Sequence, residues 1–217
     1  FLSDPANTPI IDGTIYFWTH NSPPSASNVD PFYGDFIINY AANDYASWNR
    51  LGGTGTTAAA GSGGAVPNGF IASGQGFFAK STGTATSGDP VVFKNSMRVN
   101  FNNDMFFRSS IVDANSNRSQ SNTSEKHRLW LNLINQGGSF NRILVGYADG
   151  ASDAYDRAFD GVRFTDNNSI TLYSIVEDKN LVIQGKALPF SDLDQVRLGY
   201  KSTLNDTFSI RIDHFDG

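Results

Sequence analysis

Between Glu125 and Tyr147 the chain reads EKHRLWLNLINQGGSFNRILVGY. Leu129, Leu131 and Leu133 alternate with Arg128, Trp130 and Asn132, which is the two-residue period of an extended strand. Gln136, Gly137, Gly138 and Ser139 can reverse the chain, and Ile143 and Val145 then resume the same period. The pattern predicts an antiparallel hairpin with its leucine side on a core and its other side in water. The same grammar recurs at 14–20 (TIYFWTH), 35–40 (DFIINY), 170–176, 181–188, 195–201 and 207–214, where Phe208, Ile210 and Ile212 alternate with Ser209, Arg211 and Asp213. Shorter strands are predicted around the turn at 74–76 and at 91–93, 97–99 and 105–108. The segment 44–48 reads equally as a strand or one helical turn. The stretch 51–64 (LGGTGTTAAAGSGG) is small and of low complexity, and is predicted to be a long exposed loop.

No segment sustains a period of 3.6 residues, so helices are expected only as single turns. Strands of about 6–8 residues separated by turn residues imply an all-β fold, an antiparallel two-sheet β-sandwich of jelly-roll type with about ten strands. The 217 residues suit a single domain over 1–217, and 17 Phe, 8 Tyr and 3 Trp supply a large core. Charged residues are only 17%, whereas Gly numbers 21, a balance that favours strands and tight turns over helices. With a net charge of −5 and no basic stripe, neither nucleic acid nor an anionic membrane surface is an expected partner. No apolar run approaches membrane-spanning length, so no membrane insertion is expected. With no Cys, thiolate metal sites, disulfides and Cys nucleophiles are absent.

Eight phrases occur in order along most of the chain: TIYFWTHN (14–21), DYASWN (44–49), NGFIASGQGFF (68–78), VFKNSMRV (92–99), EKHRLWLNLIN (125–135), ILVGY (143–147), LYSIVEDKNLVIQGKALP (172–189) and IDHFDG (212–217). Together they resemble a module of secreted, cell-surface Bacteroidota proteins, flavobacterial ones especially, that are cargo of the type IX secretion system. That resemblance implies an extracellular location and an adhesin-like parent protein. It also implies recognition by the secretion machinery through a type C sorting signal that is not present in this chain. Relative to that family the chain lacks the segment usually seen before Phe1 and the strands usually seen after Gly217, which predicts a fragment of a larger exported protein. The resemblance carries no catalytic residues.

Two sets of residues are candidates for binding. Trp18, Trp48 and Trp130 are candidate platforms for a sugar ring, whose C–H faces stack on exposed indole while neighbouring Asn, Asp and Arg take its hydroxyls. The competing role for each is core packing. Asp149, Asp153, Asp156 and Asp160 share one loop (ADGASDAYDRAFDG), a composition suited to calcium but without EF-hand spacing. The competing role is a polar loop held by Asx-turns.

Other motifs point away from catalysis. The run at 53–58 (GTGTTA) imitates a dinucleotide fingerprint but lacks the strand before it and the helix after it. His20, His127 and His214 are scattered, no Gly-x-Ser-x-Gly or His-Glu-x-x-His occurs, and Glu177-Asp178 reads as a turn. The expectation is therefore a non-catalytic adhesion or glycan-binding module of a surface protein. A structural spacer and a polysaccharide-degrading domain are the alternatives.

Overall fold

In the computed structural model the chain is described at residues 1–19, 26, 44–56, 66–100, 125–137, 139–163 and 169–217. The predicted strands at 35–40 and 105–108, the loop from 57 to 64 and His20 lie outside the described residues. The described chain is all-β, with two sheets in a sandwich-like arrangement.

The smaller sheet is built from β1 (Ile11–Trp18), β2 (Tyr45–Trp48), β3 (Gly53–Thr54) and β4 (Phe78–Ser81), in the order β3-β2-β1-β4. The segment 44–48 is thus a strand, as the β-branched and aromatic text on β1 requires of its partner. The larger sheet contains β5 (Lys126–Asn135), β6 (Phe140–Ala148), β7 (Gly161–Val162), β8 (Ile170–Val176), β9 (Lys179–Ala187), β10 (Leu198–Ser202) and β11 (Phe208–Asp216). Its order is β10-β8-β9-β6-β5-β11, with β7 pairing β9 beside that path. Residues 91–93 and 97–99, predicted as strands, form none. Asn95–Met97 is a single 3₁₀ turn there.

The predicted hairpin forms as β5 and β6, in register from Lys126 opposite Ala148 to Ile134 opposite Phe140. Its environment differs from the expectation of one wet face. Trp130 and Leu144 face a cluster with Leu51, Ala148, Phe159 and Ile183. On the opposite side Leu133, Ile143 and Val145 are covered by Ile170 and Leu172 of β8. The hairpin is therefore buried on both faces: β8 covers its leucine side, and Leu51 with Phe159 covers the Trp130 side that alternation alone would leave to solvent. Asn141 supports this crossing: its Oδ1 accepts from the Leu172 backbone N–H (2.9 Å) and from Arg163 Nη1 (3.1 Å).

One ladder is parallel, where the sequence predicts antiparallel pairing throughout. β6 runs alongside β9 from Leu144 opposite Ile183 to Ala148 opposite Ala187. The long connection through β7 and the β8–β9 hairpin returns the chain in the same direction, as a parallel pair requires. The Glu177-Asp178 turn closes that hairpin, with Glu177 in the left-handed region (φ 54°).

The two sheets are joined where β1 meets β7. Tyr16, deeply buried, donates its hydroxyl to the Val162 carbonyl (2.8 Å), and Thr14 Oγ1 bonds the Asp160 carbonyl (3.4 Å). Leu51 is 0% exposed, and Trp130 Nε1 donates to the Gly53 carbonyl at 2.9 Å. The first residues of the low-complexity stretch are thus core and strand, not exposed loop. Gly53 has no room for a side chain, since a Cβ there would fall 2.4 Å from the Pro67 carbonyl oxygen.

Candidate functional site

The Asp-rich loop begins where β6 ends. Gly150 takes a positive φ of 81° and turns the chain away from the sheet. The loop then closes on itself around two carboxylates. Asp156 Oδ1 accepts from the Ala158 N–H (2.9 Å), and Asp160 Oδ2 accepts from the Asp156 N–H (2.7 Å). Asp160 Oδ1 also accepts from the Gly185 N–H of β9 at 2.8 Å, which fastens the loop to the sheet. Burial pushes the Asp160 carboxyl up to about 6, although its two N–H donors pull the other way. Phe159, between them, drops into the core, where it lies against Gly185. A Cβ at Gly185 would sit 2.5 Å from that of Phe159, so only glycine leaves the ring its place.

The four aspartates therefore have separate tasks. Asp149 is exposed and Asp153 pairs with Lys186 at 3.1 Å. Asp156 and Asp160 hold backbone N–H groups within the loop. Calcium requires several oxygens converging on one point. Among the described residues no group of three or more metal-ligating side chains converges in that way.

The three tryptophans are also dispersed. Register places Trp18 opposite Tyr45 and Trp48 opposite Ile15, so these two half-buried indoles lie on opposite faces of the small sheet. The Trp48 ring rests on Gly69, whose φ is 94° and whose Cβ, if present, would be 2.6 Å from Cζ2. Trp130 is 4% exposed, stacked on His214 with centroids 4.1 Å apart and planes 13° from parallel. Its expected role as an exposed platform is not met, because the polar side of β5 is roofed by Leu51 and the 149–160 loop on one flank and by His214 on the other. His214 Nδ1 meets Asp213 Oδ2 at 2.5 Å, and His127 Nε2 meets Glu125 Oε1 at 2.8 Å.

A cleft of about 440 Å³ opens between the N-terminal turn and the Asp-rich loop, with Leu2, Thr8 and Ile11 on one side and Arg50, Tyr155 and Arg157 on the other. None of the three tryptophans lines it. Its floor depends on Gly13, where a Cβ would fall 1.8 Å from the Arg157 carbonyl oxygen. The Arg50 N–H donates to the Ala158 carbonyl (3.3 Å), which sets Arg50 beside Arg157, and the Arg50 guanidinium lies over the Phe159 ring at 4.9 Å. Tyr155 is half-buried beneath Lys179, whose ammonium is 4.9 Å from its ring centroid. Burial, and then the carboxylates of Asp12 and Asp160, push the Tyr155 hydroxyl up to about 12, so it is a neutral donor at ordinary pH. Asp12, just below, is pushed above the usual carboxylate range by burial, with the Gly13 N–H, Lys80 and Arg157 opposing.

Sequence reasoning did not single out Arg50, Tyr155 or Arg157. The available signal was two residues, an arginine and a tyrosine, embedded in an otherwise acidic loop. Arg50, close to Trp48 in sequence, joins them through its contact with Ala158.

The family model that matches this chain is described as a domain of unknown function, DUF8693, and it covers residues 1–217, so the chain belongs to that family. No curated protein and no solved structure matches it.

Proposed function

We propose that this member of the DUF8693 family is a non-catalytic recognition module of a secreted bacterial surface protein, and that it attaches to a glycan. The cleft between the N-terminal turn and the 149–160 loop carries this reading. It offers the mixture that sugars need: an aromatic side chain with a hydroxyl at Tyr155, charged donors at Arg50 and Arg157, and an apolar wall at Leu2 and Ile11. The site is built on fixed elements, since Asp160 ties the loop to β9 and Phe159 anchors it in the core. Preorganisation of that kind reduces the ordering cost of binding a flexible saccharide. The extracellular placement and the link to type IX secretion follow the resemblance to secreted Bacteroidota modules.

A glycan array tests the proposal. The chain is expected to bind a subset of glycans, and Tyr155→Ala is expected to weaken that binding about tenfold or more while the far-UV spectrum is unchanged. Absence of binding to every glycan would favour the spacer reading. Turnover of a polysaccharide would favour a degradative domain.

A further inference from the structure

Resting on the recognition reading, we propose that the cleft selects a saccharide bearing carboxylates, of the uronic acid class. Arg50 and Arg157 line the same cleft. Among the described residues, neither guanidinium makes an ion pair or a hydrogen bond. Arg128 and Arg142 are occupied, Arg128 forking onto Asp216 (2.9 and 2.6 Å) and Arg142 bonding Asp213 (2.7 Å) and Asn132 (2.9 Å), whereas Arg197 and Arg211 are also without such bonds but do not line the cleft. In a chain whose net charge is −5, two arginines without an ion pair are brought to one cleft, where the Asp12 carboxylate below balances Arg157 only in part.

Arg50 is held in place without being neutralised. Its N–H is fixed on Ala158 and its guanidinium lies on Phe159. Its carbonyl accepts from Lys126 Nζ at 2.5 Å. This brings a second cation to the same corner. The Lys126 ammonium is pushed below its ordinary range by burial and then by the positive charges of Arg128 and Arg50, while Asp216 opposes. A carboxylate near Arg50 would relieve that crowding.

A guanidinium presents parallel N–H donors that match the two oxygens of a carboxylate. The rest of the lining suits the sugar that carries it. Leu2 and Ile11 can take the C–H face of a ring. Asp156, with Oδ1 already accepting from Ala158, keeps an oxygen for a hydroxyl, and Tyr155 can donate.

The probes are oligogalacturonate and oligomannuronate with free carboxylates, and the same oligomers fully methyl-esterified, titrated calorimetrically. At least one free acid is expected to bind about tenfold tighter than its ester, with affinity falling as salt rises. Arg157→Ala, at an exposed position, is expected to remove about tenfold of that preference, and Arg50→Ala a similar factor. Arg157→Lys is expected to restore only part of it, since an ammonium lacks the fork. Arg157→Gln with an unchanged near-UV spectrum guards against a folding artefact. Equal binding of acid and ester, wild-type affinity in the arginine variants, or binding of neutral glycans alone would overturn the uronate assignment and leave the recognition reading standing. Binding of no glycan of any kind would overturn both.

Discussion

β5 and β11 lie side by side in the large sheet, paired from Phe208 opposite Asn135 to Asp216 opposite Arg128. Both alternate apolar and polar residues, and the apolar sets share one face, since Ile210 faces Leu133 and Ile212 faces Leu131. Their environments differ sharply. Leu133 is 1% exposed, whereas Ile210 and Ile212 are 49% and 63% exposed. The cover decides the difference. Ile170 and Leu172 of β8 lie over β5 and β6, and of β11 only Phe208 joins that cluster.

β11 is held by polar bonds instead. A bulge between Ile212 and His214 lets Asp213 and His214 both address the inner face of β5. Asp213 Oδ1 accepts from Asn132 Nδ2 (2.8 Å) and from the buried Arg142 (2.7 Å). Arg128 and Asn135 bond Asp216 and Asp206. Alternation thus identifies a strand, while the manner in which it is fastened depends on what crosses above it. Ile210, Ile212 and Phe215 leave an apolar stripe on this edge strand.

The largest effect expected from this contrast is at the buried strand. Trp130→Ala removes an indole from the cluster around Leu51 and Leu144 and leaves the Gly53 carbonyl without its donor. It should cost about 3–5 kcal/mol in denaturant unfolding.

The next is at the polar seam. Arg142→Ala leaves Asp213 without its cation and should cost about 3 kcal/mol. The backbone amides of 208–216 should then exchange faster than those of β6, so retained protection there would refute the view that this network holds β11. Acid should do the same to the wild type. Burial raises the Asp213 carboxyl, but His214, Asn132 and Arg142 outweigh it and hold the group below its ordinary value of 3.8. Its contribution is therefore complete above that value and disappears as pH falls through the lower folded one.

The smallest effect is at the exposed face. Ile212→Ala should change stability by less than about 0.5 kcal/mol, although the equivalent change at Leu133 removes a core side chain. A comparable loss at both positions would erase the distinction between the two strands.

The alternating text of 125–147 was enough to place β5 and β6, and the same period located β1, β8, β9, β10 and β11 within a few residues. Local failures have physical reasons. Residues 91–93 and 97–99 have strand-like composition but flank a 3₁₀ turn, and the Val92 N–H and carbonyl bond the Asn7 side chain instead of a strand neighbour. The segment opening at Leu51 reads as a loop from its glycines, yet Gly53 is packed against Pro67 and Val66 and its carbonyl accepts from Trp130. For the site, the Asp-rich loop was legible as a special segment, but the task of each carboxylate was not. Arg50 was legible only as a polar neighbour of Trp48, because its place in the cleft depends on a main-chain bond to Ala158, far along the chain.

The sequence by itself determined the all-β character, the main hairpins and the residues able to form a core, because a two-residue period is a property of neighbours along one strand. Tertiary structure alone decided that β5 and β6 are roofed twice and that Trp130 is interior. It also decided that β6 pairs with β9 in parallel and that Arg50 and Arg157 face one cleft. Burial and proximity are set by segments distant in sequence that fold across a strand, and no strand's own alternation encodes what will lie above it.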